Sequence, residues 1–484
     1  MKLLIKATMI LLVFILGLIF WECQYDLSSP YPNEDPNTTI ANIPVDSSTI
    51  FALVTLHWDG EDSDGFIQGY QYRYTTYHMF QEDTFKQEWV STDKTSLTIA
   101  FESSDSLNRQ IFEVRAVDNN GAVDPSPAKK IFFTPKTYEP ETKLIYPPKN
   151  SVHFAQETAT DWWPGIQIAF KAQDADEQGE IVEYAWAVDE GEWTWTKDTT
   201  LFIGPEYFMP LEGIHTIRVT SRDNTNLIDP DGDFIKINLV KPTFEKNILI
   251  IDETVESLIP GENKPTDKLV DDFYAEIFAT DDNWDFQKKG MPEKEELGKY
   301  KMVIWHADNP YSTESDVHKL PTHIEIIKDY MNVGGDFVMS GWRILKSFAS
   351  KDPFPRSFRE GEFIHDYLHI TLVDETALFG DFIGAEGTGG FSDISVDSEK
   401  IEIFPFIGKL AQINLMPGIA GFTDKMYIYQ NDINSSFTDY RGKTVGLRYY
   451  GSVFDAVVLG FPMYFIKKDD AKTMATEILR SMGY

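Results

Sequence analysis

Hydrophobic and polar positions alternate with two different periods along this chain. From about Asp46 to Pro135, strand-like runs are separated by turn clusters. Thr49–Trp58 leads into Asp59-Gly-Glu-Asp-Ser-Asp-Gly65. Phe66–Thr75, Glu88–Val90, Ser96–Phe101, Gln110–Val117 and Lys129–Thr134 follow. Short strands at this spacing predict an antiparallel sandwich. A second stretch, from about Thr142 to Pro242, repeats the signature. Asp62-Ser-Asp-Gly-Phe-Ile-Gln-Gly-Tyr-Gln-Tyr72 aligns with Asp174–Trp186, with two extra residues in the turn. Phe112–Asn119 aligns with Ile217–Asn224, and each copy then reaches an Asp-Pro pair.

After Pro242 the pattern changes. Lys246-Asn-Ile-Leu-Ile-Ile-Asp252 is an unbroken apolar run closed by an acid. A helix is expected at Asp267–Ala279, a second run at Lys301–Asp308, a second helix at Thr322–Val333, and a third run at Asp336–Trp342. Continuous apolar strands separated by helices predict a parallel sheet covered on both faces. Arg343–Glu362 and Leu372–Asp393 read as irregular, around a short helix at Phe363–Ile370. Thr444–Tyr450 and Ala456–Phe461 read as the last strands, and Asp469–Met482 as a closing helix.

The N-terminus has its own composition. Lys2 and Lys6 precede Ala7–Trp21, which carries no charge, and Glu22 and Cys23 follow. A short basic region and an apolar core form the layout of a secretory signal. The apolar core is shorter than the roughly 20 residues of a comfortable membrane span. After Cys23 the chain is rich in Pro, Asn, Asp and Ser to about Asp46, the composition of a tether. The expected organisation is a signal peptide over 1–22, a tether over 23–45, sandwiches over 46–136 and 140–242, and an α/β domain over 246–484.

Three resemblances follow. The N-terminus resembles a bacterial lipoprotein signal, which implies lipidation of Cys23 and an outer-membrane location in the cell envelope. Phe20, Trp21 and Glu22 stand where that signal has small residues, so an uncleaved signal anchor and soluble export remain as alternatives. The two β modules resemble fibronectin type III and related immunoglobulin-like modules, which speaks to fold and hardly to function. The C-terminal stretch resembles the glutamine amidotransferase-like α/β fold, close to a flavodoxin-like arrangement. The carrying residues are Asn247–Asp252, Tyr300–Trp305, Gly334–Gly341 and the terminal Val-Leu-Gly-Phe-Pro with its helix. Catalytic members place a Cys at the tight turn after a strand. Here Ser340 takes that place, flanked by Met339 and Gly341, which argues against amidotransferase activity.

Composition narrows the chemistry. Across 484 residues the formal net charge is −34, which sets nucleic acid aside as a partner because phosphate binding needs a basic face. Cys23 is the one cysteine, so no intramolecular disulfide and no cysteine zinc site can form. Aspartates crowd two turn regions: Asp62, Asp64 and Asp118 in the first module, Asp174, Asp176 and Asp223 in the second. Convergent carboxylates suit Ca²⁺; Asx-turn chemistry accounts for the same residues without an ion. No other cofactor is expected.

Trp193 and Trp195, two apart on an expected strand, form a candidate sugar-stacking face, and Trp162-Trp163 is another. Strand C-termini carry the sites of parallel sheets. That places His306, Asp308, Ser340 and Trp342 at one rim, with His365 and His369 four apart on the short helix. Trp342 and Asp308 are read as binding residues. Ser340 with His306 or His365 is the weaker catalytic candidate. The functional expectation is a non-enzymatic binding or scaffold protein of the envelope, membrane-anchored, with a glycan or a surface protein as ligand. The alternative is a serine-dependent hydrolase of an ester, amide or glycan.

Overall fold

The computed structural model describes residues 32–255, 265–308, 318–349, 351–378, 380–402 and 410–484. The signal segment and Cys23 lie outside the described residues, as does the first part of the tether. No helix among the described residues is long and apolar enough to cross a membrane. The chain divides into two compact units. One runs to Thr142 and adds residues 172–184 and 220–231; the other takes residues 143–171, 185–219 and 232–484.

The first unit is built on two sheets. Asn37–Ile40, Leu53–Glu61 and Ser96–Ala100 make a three-stranded sheet. Thr84–Lys86, Ile67–His78, Leu107–Asp118 and Ala128–Pro135 make a larger one, to which Val90–Thr92 adds. Alternation does the sorting: Val54, Leu56 and Trp58 point inward from one sheet, and Tyr70, Tyr74, Phe112 and Val114 point inward from the other. In that core Trp58 meets Phe112 tilted, and Phe101 meets Tyr74 and Phe132 edge-on. A second pair of sheets follows in the chain. Val152–Phe154, Asp233–Val240, Gly213–Asp223, Ile181–Val188 and Thr194–Thr196 form one; Thr200–Ile203, Ile166–Gln173 and Glu141–Tyr146 form the other.

Among the described residues, the large sheet of the C-terminal region has nine strands. We number them β1 (Lys246–Asp252), β2 (Asn283–Asp285), β3 (Tyr300–Ala307), β4 (Asp336–Gly341), β5 (Phe382–Gly387), β6 (Ile394–Ser395), β7 (Thr423–Asn431), β8 (Thr444–Tyr450) and β9 (Asp455–Leu459). Three helices matter here: α1 (Asp267–Phe278), α2 (Ile324–Asn332) and α3 (Lys468–Ser481). The sheet order is β2-β1-β3-β4-β9-β8-β7-β5-β6.

The first five strands are parallel, and every later neighbour is antiparallel. The sheet is therefore mixed, not mainly parallel as the sequence suggests. The missed antiparallel strands are β5, which lies where the sequence reads as irregular, and β6 and β7 after it; β8 and β9 fall where the last strands are expected. In β7, register shifts between Lys425 and Tyr427, and again between Tyr427 and Ile428, interrupt the alternation that marks a strand.

The parallel strands read as continuous apolar runs because both faces are covered. Ile248, Ile250, Ile304 and Val338 join Val270, Tyr274 and Ile277 of α1 and Met474 and Ile478 of α3 in one core. Leu249, Ile251, Val303, Trp305 and Phe337 are buried on the opposite face. Tyr330 of α2 is also buried and donates its hydroxyl to Tyr300 O at 2.9 Å. α1 is capped by Thr266, whose side chain accepts from Leu269 N, and ends at Ala279 in the left-handed conformation.

Candidate functional site

Parallel register places three polar side chains in a row at the strand ends. Asp252 closes β1 and pairs with His306 on β3; His306 pairs in turn with Ser340 on β4. Each lies two residues past a core position of the α1-facing layer (Ile250, Ile304, Val338), so period-two alternation turns all three toward α1. All three are fully buried. Strand β2 lies outside β1 in the sheet while β3 and β4 lie on its other side, so strand order reverses between β1 and β3. In open α/β sheets such a switch point is where ligands bind.

Tyr274 of α1 covers the row. Its ring stacks on His306 with centroids 3.8 Å apart and an interplanar angle of 9°. Its hydroxyl donates to Asp308 Oδ2 at 2.8 Å and lies 3.4 Å from Ser340 Oγ. Asp308 Oδ2 also accepts from Tyr464 N at 2.7 Å. Burial pushes the Asp308 carboxyl up to about 7, with the Tyr464 amide and Tyr274 hydroxyl acting against it. Burial lowers His306 to about 3, so the imidazole is neutral at physiological pH. Asp252 is raised, first by burial and then by the facing Asp267 carboxyl.

Acids from α1 complete the cluster. Asp267 and Asp271 are four apart and share one helix face. Asp271 Oδ1 accepts from Asn283 Nδ2, and Lys288 pairs with both Asp267 and Asp285. One ligand atom from each of Asp252, Asp271 and His306 lies within 4.8 Å of the other two. On the other face, Glu253 accepts from Trp305 Nε1 at 3.0 Å and from the Lys319 amide; burial raises it to about 7.

No family model and no curated protein matches the chain. Solved structures similar to it are fibronectin type III-like and immunoglobulin-like multidomain proteins. The fibronectin(III)-like modules of Clostridium thermocellum CbhA are 19% identical at a TM-score of 0.21, over 42% of this chain and 95% of theirs. The FN1-FN3 domains of chicken CNTN1 are 10% identical at a TM-score of 0.19, over 43% of this chain and 65% of theirs. A β-galactosidase from the haloarchaeon Halorubrum lacusprofundi is 15% identical at a TM-score of 0.31, over 50% of this chain and 31% of its own.

The residues named from sequence divide. His306, Asp308 and Ser340 come together as the strand ends imply, but in a closed layer. Ser340 Oγ donates to Phe461 O at 3.1 Å, and no histidine among the described residues hydrogen-bonds to it. His365 pairs instead with its neighbour Asp366, Nδ1 to Oδ1 at 2.7 Å. The short helix covers only Phe363–Asp366, and His369 has φ of 51°, so the two histidines do not share a helical face. Trp342 is not a rim platform. It is 5% exposed, sits in the core, and donates Nε1 to Ala411 O at 3.2 Å.

Trp193 is 41% exposed with Arg218 over its ring at 5.0 Å. It precedes the three-residue strand that holds the half-buried Trp195, so the two are not one strand face. Trp162 packs on Tyr367 and Phe454, with centroids at 5.1 and 4.8 Å. Its neighbourhood is a cavity of about 550 Å³ lined by Tyr146, His153, Trp162, Asp329, Asp366 and Tyr367.

Four of the turn aspartates, Asp62, Asp118, Asp174 and Asp223, accept from amides of their own loops, while Asp64 and Asp176 accept from distant segments. Asp118 accepts from Asn120 N and Ala122 N; Asn33 and these amides hold its carboxyl low. Asp223 Oδ1 accepts from Thr225 N and Leu227 N, Asp174 Oδ1 from Asp176 N, Asp176 Oδ2 from Tyr138 N, Asp62 Oδ1 from Asp64 N, and Asp64 Oδ2 from Glu34 N. The bonds from an aspartate to the amide two residues on are Asx-turn chemistry. Second oxygens of Asp62, Asp174 and Asp223 have no hydrogen-bond partner among the described residues.

Sequence reasoning did not name Asp252, Asp271 or Tyr274 as site residues. The available signal was an acid closing the first parallel strand and a helix opening with acids at i and i+4.

Proposed function

We propose that this chain is an exported, non-enzymatic binding or scaffold protein of the bacterial cell envelope, lipid-anchored through Cys23, with a glycan as its ligand. The observation that carries the non-enzymatic reading is the environment of Ser340. A nucleophilic serine needs a base on its hydroxyl and a path for substrate; this hydroxyl is buried and donates to a carbonyl. The C-terminal region reads as a degenerate amidotransferase-like fold. Its parallel strand order supports that reading, as does the serine at the end of β4 where catalytic members have cysteine.

The glycan assignment rests on the cavity beside Trp162. Aromatic faces (Tyr146, Trp162, Tyr367) cover the apolar faces of a sugar, and Asp329 and Asp366 accept its hydroxyls. Titration of the full chain with oligosaccharides from bacterial envelopes tests it. Binding weakened about tenfold or more by Asp366→Ala and Tyr146→Ala, and unchanged by Trp193→Ala, is the expected result. Binding lost only in Trp193→Ala would move the ligand to the second module. Absence of binding to any envelope glycan would remove the assignment. Anchoring has a separate readout: lipid incorporation in cells, present in the wild type and abolished in Cys23→Ser.

A further inference from the structure

The cluster under Tyr274 contains polar atoms that protein neighbours leave unmatched. His306 is fully buried, and neither ring nitrogen has a hydrogen-bond partner among the described residues. The nearest approach, Nε2 to Asp252 Oδ1 at 3.4 Å, is out of line for a hydrogen bond. Asp252 Oδ1 accepts from Thr254 N at 2.7 Å, while Oδ2 has no donor among the described residues. Desolvating an imidazole and a carboxylate without partners is costly. A proton shared between Asp252 and a neighbouring acid would relieve that carboxylate and still give His306 nothing. A cation in the same place would relieve both. Charge agrees, since the carboxyls of Asp252, Asp267, Asp271 and Asp285 lie close enough to act on one another, and Lys288 pairs with Asp267 and Asp285 on the outer side.

From this geometry we infer that Asp252, Asp271 and His306 form a binding site for a first-row divalent transition ion, of the Zn²⁺ or Mn²⁺ class. Their ligand atoms already converge within 4.8 Å. Imidazole beside carboxylates suits these ions, whereas Ca²⁺ and Mg²⁺ favour all-oxygen shells. The stack on Tyr274 holds the His306 ring in orientation, the role an outer layer plays at metal sites. Asp271 is half-buried, so the site opens on its side. The site is separate from the glycan cavity and does not depend on it.

The test uses the full chain in detergent, stripped with a chelator and then dialysed against Zn²⁺, Mn²⁺, Ca²⁺ or Mg²⁺, with bound metal counted by mass spectrometry. Substitution with Co²⁺ adds a visible spectrum that reports nitrogen ligation. The expected result is one Zn²⁺ or Mn²⁺ per chain and a raised thermal midpoint, with Ca²⁺ and Mg²⁺ about tenfold weaker or more. Asp271→Asn, at a half-buried position, is expected to weaken binding about tenfold or more while the circular dichroism stays unchanged. His306→Gln is expected to remove the nitrogen signature from the Co²⁺ spectrum. No uptake of Zn²⁺ or Mn²⁺ by the folded chain overturns the site, and so does wild-type uptake by a folded Asp271→Asn. Equal binding of Ca²⁺ overturns the ion class. If His306→Gln fails to fold, Asp271→Asn decides alone.

Discussion

Single side chains in the C-terminal region are set by burial more than by charge pairing. His318 is 7% exposed, and its Nε2 donates to Trp342 O at 2.8 Å. Burial lowers it to about 4. The unfolded chain takes up this proton near pH 6.5, the folded chain only near pH 4. The stability tied to neutral His318 is therefore fully present above about pH 6.5 and is lost as pH falls toward 4. The loss is on the order of 2–3 kcal/mol. His318→Gln keeps a donor for Trp342 O, and the fall in thermal midpoint between pH 6.5 and 4.5 is expected to be shallower in that variant. Ser340→Ala removes one donor from Phe461 O, so a loss of about 1 kcal/mol is expected, with ligand binding unchanged. A serine-reactive probe is expected to leave the folded wild type unlabelled; labelling abolished by Ser340→Ala would instead revive the hydrolase. Sequence marked Ser340, His306 and Asp308 as one rim, since strand ends are legible. It did not show that Tyr274 would close over them, because that contact joins residues 32 or more positions apart.

At the scale of elements, β1, β3 and β4 fall where their apolar runs end, and the helices α1 and α3 follow their apolar faces. The glycines between α2 and β4 have a definite job. A Cβ on Gly335 would lie 2.1–2.4 Å from the ring of Tyr330, which is fully buried and bonded to Tyr300 O. Gly335→Ala is therefore expected to cost about 1–3 kcal/mol in chemical denaturation, through displacement of that ring. Ile250→Ala, in the centre of β1 and fully buried, is expected to cost about 2–5 kcal/mol. The strands β5 and β7 were not legible. β5 shifts register between Phe382 and Gly384, and β7 shifts twice; each shift moves the next side chains off the expected face. The expected helix through Ile370 stops at Asp366, and His369 takes a left-handed backbone.

At the scale of the molecule, the second unit holds residues of the second module together with the whole C-terminal region. Trp162, between Tyr367 and Phe454, is one tie within it; Lys294 is another, donating to Val152 O at 2.8 Å and pairing with Asp329. Trp162→Ala is expected to separate the calorimetric unfolding of residues 143–171, 185–219 and 232–240 from that of the C-terminal region. A single unchanged transition would show that this tie carries little of the coupling. The sequence alone determined the parts whose signal is local. Alternation marked sandwich strands, and unbroken apolar runs marked strands covered on both faces. Tertiary structure alone decided what depends on register and on which face a neighbour covers. Parallel pairing brought Asp252, His306 and Ser340 into one row. Packing of α1 sealed Ser340 and set Asp271 against His306. Burial turned Trp342 from a surface candidate into core. These outcomes join residues dozens of positions apart, and their energies come from desolvation and close packing, which composition and periodicity do not encode.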